Sequence, residues 1–394
     1  MKILFTQHGL RHRGGSELFV VEVVRELARR GHEVAVYTGD SGPMASILKE
    51  CGVMILDDPT KCPWMPDIIH GQHHQYALRA ILGFPMTPAI LYLHGFVPAL
   101  EKPFRHPRIL RYLTIAEGIS RHWSSSYALP PDLFLTIPNH IDLGRFHHKR
   151  SLPDKPAKAL IFANALLSQE QLEILQNACT KRGMTLELAG LCSGPQGMLL
   201  QPENHLPQYD LVFAVGRSAL EAAACGCGVI PVYRDMAEEI LLPETYEKLR
   251  AQNLAPRLLK HHKLSEEWIE MQLDRWNSNL IMEVSEIIRE SAGVDNTVSL
   301  LEKTYAAVCQ EYSIRQTASW EEEREALEAY FGQEGELHLR ERISKLRAEI
   351  SKLTIKMEKL ESMKISLLWK FRGPVRWTYK ILGRGNHQKP PETL

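Results

Sequence analysis

Gly14-Gly15-Ser16 stands between a short apolar run, Ile3–Phe5, and an amphipathic stretch. Glycines at a strand-to-helix turn let a ligand approach the backbone, and a helix start offers free N–H groups with a partial positive charge, which suits a phosphate. The same turn also serves plain strand–helix geometry. It does not fit Gly-x-Gly-x-x-Gly, so a dinucleotide is not indicated. A second glycine turn, Gly216-Arg217-Ser218, opens a helix rich in small side chains, Ala219–Ala224. Ser218 is expected to cap it. Glu221 lies one turn in, where a carboxylate can hold two sugar hydroxyls; the helix dipole alone also accounts for an acid there. Arg217 supplies a planar guanidinium that suits a diphosphate. His94 follows the apolar run Ile90–Leu93 and precedes Gly95, at the carboxyl end of an expected parallel strand, where ligands bind in such sheets. A neutral imidazole there can orient an acceptor or a sugar hydroxyl, with a hydrogen-bonded structural histidine as the alternative. His70, His73 and His74 invite a metal reading, but no carboxylate or cysteine completes a set, and no metal is expected.

The elements that must position these residues alternate. Strands are expected at Ile3–Phe5, Glu33–Tyr37, Val53–Leu56, Asp67–His70, Ala89–Leu93 and Tyr112–Ile115. Helices are expected from Gly14 to about Arg30 and near 43–51, 74–83 and 117–127. Such alternation implies parallel strands covered by helices on both faces. A polar, proline-containing stretch, 147–156, reads as a linker. The pattern then restarts, with strands at Ala159–Ala163, Leu186–Ala189, Leu211–Val215 and Val229–Val232 and helices over 168–182 and 217–225. Residues 235–312 read as mostly helical. The domains expected are 1–149 and 150–318, both Rossmann-like, then a coiled coil over 319–361 and a basic aromatic tail over 362–394.

The coil rests on Leu339, Ile343, Leu346, Ile350, Leu353, Met357 and Leu360, spaced by four and three. That pattern favours a parallel homodimer through 336–361, with a helix folded back on its own chain as the alternative. The tail carries seven Lys/Arg and no Asp or Glu between Ser362 and Pro391, interleaved with Trp369, Phe371, Trp377 and Tyr379. Basic residues mixed with Trp and Tyr suit an anionic membrane surface. Packing back on the protein, or gripping a polyanionic glycan, are the competing readings. Over the whole chain of 394 residues Lys+Arg and Asp+Glu both number 47, so no global field draws it to nucleic acid. The seven cysteines are scattered without a Cys-x-x-Cys pair, which fits free thiols in a reducing, cytoplasmic setting.

Four pieces in order resemble the family 4 glycosyltransferases, retaining sugar-nucleotide enzymes of the GT-B fold. They are Gly14-Gly15-Ser16-Glu17 with Leu27–Val34, Pro66–His70, Ile137–Phe146 and Leu220–Pro231. The resemblance implies an α/β protein of two Rossmann-like domains facing a cleft. It implies a nucleotide-sugar donor held mainly by the second domain and a glycan or lipid-linked acceptor held mainly by the first, with no cofactor. Carried onto this sequence, it puts Gly14, Gly15 and Glu221 at the donor and His94 with Glu221 at the reacting centre; Ser218 and Arg217, the nearest cation offered in place of the family's basic pair, complete the donor set. Two positions depart from the family. A first donor-site glutamate would fall at Phe213, and the basic pair after the second domain's first strand is missing from Phe162–Glu170. The sequence therefore supports two functions: a glycosyltransferase, or a non-catalytic scaffold of that fold that organises partners through its coil. A sugar-nucleotide epimerase of the same fold is a third and weaker fit.

Overall fold

The computed structural model describes residues 1–96, 99–147, 151–163, 167–190, 199, 201–258, 262–315 and 318–332, with Ser351 and Met357. Apart from those last two residues, the heptads over 336–361 lie outside the described residues, as does the tail over 362–394.

Met1–Glu323 forms one compact unit built around two sheets. The first lobe runs β1 (Lys2–Gly9), α1 (Gly15–Arg29), β2 (Glu33–Asp40), α2 (Pro43–Glu50), β3 (Met54–Leu56), β4 (Ile68–Gln72), α3 (His74–Gly83), β5 (Ala89–Leu93), β6 (Ile109–Thr114), α4 (Glu117–Tyr127) and β7 (Phe134–Thr136). Its seven strands lie in the order β3-β2-β1-β4-β5-β6-β7, all parallel. The order reverses between β1 and β4, which opens a crevice at their carboxyl ends. Strands β4 and β5 are buried along their whole length; β5 is the continuous apolar run expected of a strand covered on both faces, whereas β4 carries His70 and Gln72.

The second lobe runs β8 (Lys158–Phe162), α5 (Gln169–Lys181), β9 (Thr185–Ala189), α6 (Pro202–His205), β10 (Leu211–Ala214), α7 (Gly216–Ala224), β11 (Gly228–Tyr233), β12 (Met236–Ala237), α8 (Pro243–Ala251), β13 (His262–Lys263), α9 (Glu266–Asp274) and α10 (Ser278–Ser291). Its sheet, β13-β12-β11-β10-β8-β9, is parallel except at β12 and β13. Apolar layers cover both faces: Val212 points into one and Phe213 into the other. Phe213 is therefore a core residue, 1% exposed among Ile161, Leu211 and Ile230.

Helix α11 (Val294–Ile314) leaves the second lobe and returns to the first. Arg30 donates to Glu302 at 2.6 Å, Arg111 pairs with Glu311 at 2.8 Å, and the His70 Nδ1–Tyr305 hydroxyl distance is 2.6 Å. The sequence boundary at 318 assigns this helix to the second domain; its packing puts it on the first. An apolar helical stripe states that it must be covered, not by which sheet. The two crossings between lobes run side by side: Ile141 N–H donates to Ala292 O at 2.9 Å, and Val294 N–H donates to Ile141 O at 3.1 Å. Beyond α11, residues 320–332 are helical.

His70 is fully buried, and its Nε2 has no partner among the described residues. Tyr305→Phe removes the partner of the other nitrogen and leaves a buried imidazole wholly unsatisfied. It should lower unfolding stability by about 1–3 kcal/mol, read as a shift in the denaturant midpoint with an unchanged far-ultraviolet spectrum.

Candidate active site at the cleft between the lobes

The carboxyl ends of both sheets give onto one cleft of about 500 Å3. His12, Arg13, Gly14 and Gly15 enter it from the turn after β1, and Phe162 and Gly190 from the ends of β8 and β9. Arg217, Ser218 and Glu221 enter it from the start of α7. The structure thus brings together all five residues that the sequence reading places at a donor. A side chain built at Gly15 meets nothing within 4 Å, so packing does not demand glycine there. Gly216 differs: its φ of +59° lies in the left-handed region that favours glycine. Ser218 does not cap α7. The helix begins at Gly216, its N-cap is Val215, and no side chain caps it. The N-termini of α1 and α7 both reach this cleft, and each favours negative charge.

Arg217 does not reach into the cleft as a free cation. Its Nη2 donates to both oxygens of Glu22 on α1, at 2.5 and 2.6 Å, and its Nε donates to Glu221 Oε1 at 2.9 Å. His140 Nε2 lies 3.0 Å from Glu22 Oε2, and Arg145 approaches Glu22 at 3.8 Å while donating to Glu203 at 2.8 Å. These groups are buried: the side chains of Glu22, Glu221 and Arg217 are 4%, 7% and 11% exposed. Burial pushes the Glu22 carboxyl up, but the Arg217 charge and the His140 hydrogen bond outweigh it and hold it down at about 2. Burial dominates at Glu221 and raises it despite Arg217. It also dominates at His140, which is lowered although Glu22 pulls the other way. One guanidinium thus serves two carboxylates from opposite lobes. It holds Glu22 ionised and leaves Glu221 the readier of the two to take a proton.

His94 lies apart from this network. It follows β5 directly, and its backbone N–H donates to Glu101 Oε2 at 2.6 Å. Its Nε2 is 3.0 Å from Gln72 Oε1. An amide oxygen only accepts, so the imidazole carries its proton on Nε2 and keeps Nδ1 as an acceptor. Burial lowers its pKa to about 4, so it is neutral at physiological pH. Buried Glu101 also faces His73 Nε2 at 3.5 Å, and His73 Nδ1 accepts the His8 N–H at 3.1 Å. His73 holds a left-handed φ of +58° at the start of α3. The Phe19 ring links the two halves of the site, 5.0 Å from His94 and 5.2 Å from His140. Among the described residues no three of His, Cys, Asp and Glu gather as metal ligands.

Glu22, Gln72, Glu101 and Arg145 are the site residues that the sequence reading missed. Arg145 falls within the Ile137–Phe146 piece without being singled out, and Glu22 carried a signal of its own: it interrupts Phe19-Val20-Val21 and Val23-Val24, and a charge inside an apolar run is buried only when paired.

No protein-family model and no curated protein matches the chain. Solved structures do. A glycosyltransferase from Rickettsia africae ESF-5 superposes with a TM-score of 0.56 at 13% identity, covering 78% of this chain and 98% of that one. Alr3699/HepE of Anabaena, solved in complex with UDP-glucose, also gives 0.56 at 13% identity, over 78% of this chain and 100% of that one. The chain has the GT-B fold. In GT-B terms the cleft lies between the two Rossmann-like lobes, and α11 is the helix that returns to the first.

Replacing Arg217 by Met leaves Glu22 and Glu221 without their shared cation and should destabilise the protein by about 3 kcal/mol at pH 7. In the native protein Glu22 ionises well below its ordinary value of 4.5, so its stabilisation is complete above that pH and fades towards about 2. The variant lacks this contribution. The gap between the two proteins should be widest at neutral pH and narrow as pH falls below about 4.5, checked by denaturant titration at several pH values.

Proposed function

We propose that this chain is a retaining glycosyltransferase. It moves a sugar from a nucleoside-diphosphate donor to a surface-polysaccharide or lipid-linked acceptor. The observation that carries the reading is the cleft, into which the starts of α1 and α7 converge with Gly14, Gly15, Arg217, Ser218 and Glu221. The UDP-glucose bound by a protein of the same fold supports it. In this reading the backbone N–H groups of the two helix starts and Arg217 stabilise the departing diphosphate. Glu221 holds the donor's ribose hydroxyls. His94, neutral and with Nδ1 open as an acceptor, orients the reacting sugar or the acceptor hydroxyl. No cofactor enters the reaction.

A specific observation favours a second reading, a scaffold without catalysis. Arg217 Nη2 already donates to both oxygens of Glu22, and Phe213 fills the core where the family has a donor-site glutamate. A panel of nucleotide sugars tested by thermal shift separates the two. The transferase should be stabilised by at least one donor, by about 2.7 kcal/mol when that donor is at a hundred times its dissociation constant. Silence across the panel selects the scaffold.

The reading extends to the C-terminal sequence, which we propose dimerises through 336–361 and meets anionic lipid through 362–391. The full chain should co-sediment with vesicles containing phosphatidylserine, less so as salt rises, whereas a chain ending at Met363 should stay in the supernatant.

A further inference from the structure

Arg217 lines the cleft proposed for the donor's diphosphate, and Glu22 holds it from behind the cleft wall. A nucleoside diphosphate bound at the start of α7 needs the forked face of a guanidinium. In this structure the Nη2 side of that face is taken by a carboxylate of the other lobe, whose two oxygens both accept from it at 2.5 and 2.6 Å, and the Nε side is taken by Glu221 at 2.9 Å. Arg145, one of the two further arginines that line the same cleft with Arg13, leans towards the same carboxylate at 3.8 Å. The carboxylate oxygens of Glu22 on Nη2 and of Glu221 on Nε hold the places that two phosphoryl oxygens would take on the guanidinium. The pair also joins helices 195 residues apart in sequence, one from each lobe.

We infer that Glu22 is an internal anion that occupies the diphosphate site of the empty protein, and that a nucleoside diphosphate binds by displacing it from Arg217. The inference rests on the donor reading above and adds its regulation: binding and release of the contact between α1 and α7 are one event. Displacement does not strand a bare buried charge. Glu22 keeps His140 at 3.0 Å and Arg145 nearby, while Arg217 exchanges one anion for another and keeps Glu221. Donor affinity is therefore a difference between two occupants of one guanidinium, and weakening the internal occupant strengthens the external one.

Glu22→Gln tests this on the full chain. The amide keeps the shape and removes the charge. Arg217 retains Glu221 and Arg145 retains Glu203, so no cation is left bare and the variant should fold. Uridine, guanosine and adenosine diphosphates and inorganic pyrophosphate are titrated calorimetrically into the native protein, Glu22→Gln and Arg217→Lys. The variant lacking the carboxylate should bind the preferred diphosphate about tenfold more tightly, within the usual range of coupling between sites. Arg217→Lys, which keeps the charge but loses the fork, should bind it more weakly than the native protein. Binding by Glu22→Gln alone, with none detectable in the native protein, also supports the inference. Equal or weaker binding by Glu22→Gln, with native binding intact, overturns the displacement and leaves the donor reading standing. Silence from both proteins with every probe overturns the two together.

Discussion

A carboxylate on the buried face of α1 must be answered by positive charge. Ionised and alone, Glu22 would destabilise the fold by several kilocalories per mole. The charge comes from Arg217 at the start of α7 and from Arg145 just beyond the first crossing between lobes, and His140 on that crossing adds a hydrogen bond. Satisfying one side chain therefore fixes three segments. It draws the glycine turns after β1 and β10 to the same cleft and sets the first crossing beside α1. It also makes the cleft's own cation a structural element, which is why the catalytic question and the architectural question meet at one residue.

The first lobe buries a carboxylate of its own, Glu101. Under α1 the sheet carries Gln7, His70, Gln72 and, just beyond β5, His94, all beside the Phe19 ring or the strands it covers. Glu101 anchors this row by its contacts with the His94 amide and with His73. The imidazole of His94 is thus held from its backbone and from one ring nitrogen, which leaves its other nitrogen with a defined direction and a defined protonation state. Rigid support of this kind is what a group that orients a substrate requires.

Much of this was legible in the residues. Alternating apolar runs located sixteen of the elements, and 74–83, Ala89–Leu93 and 117–127 coincide with α3, β5 and α4 to the residue. The positions of the glycine turns and of His94 were legible because each follows an apolar run that forms a strand. Phe134–Thr136 was not, since three residues after a proline turn carry no period. The destination of α11 was not, because pairings such as His70 with Tyr305 span 235 residues and leave no local trace. The state of Arg217 was hidden for the same reason. Its i,i+4 relation to Glu221 is visible in the sequence, but Glu22 lies on a different helix of the other lobe, and only the fold brings it within 2.5 Å.

The return of α11 also orders events in time. The first sheet is encoded by Lys2–Thr136, yet the helix that covers His70 and the β6 side of that sheet is not made until Ile314. During synthesis at about 5–20 residues per second, roughly ten to thirty seconds separate the last strand of the first sheet from its lid. Through that interval the nascent first lobe shows the ribosome's surroundings a buried histidine and an uncovered apolar surface. Its own second lobe, emerging meanwhile, cannot hide them. Completion of the first half of this molecule waits on the chain that follows the second, so the two lobes mature together, and the first in sequence is not the first to be finished.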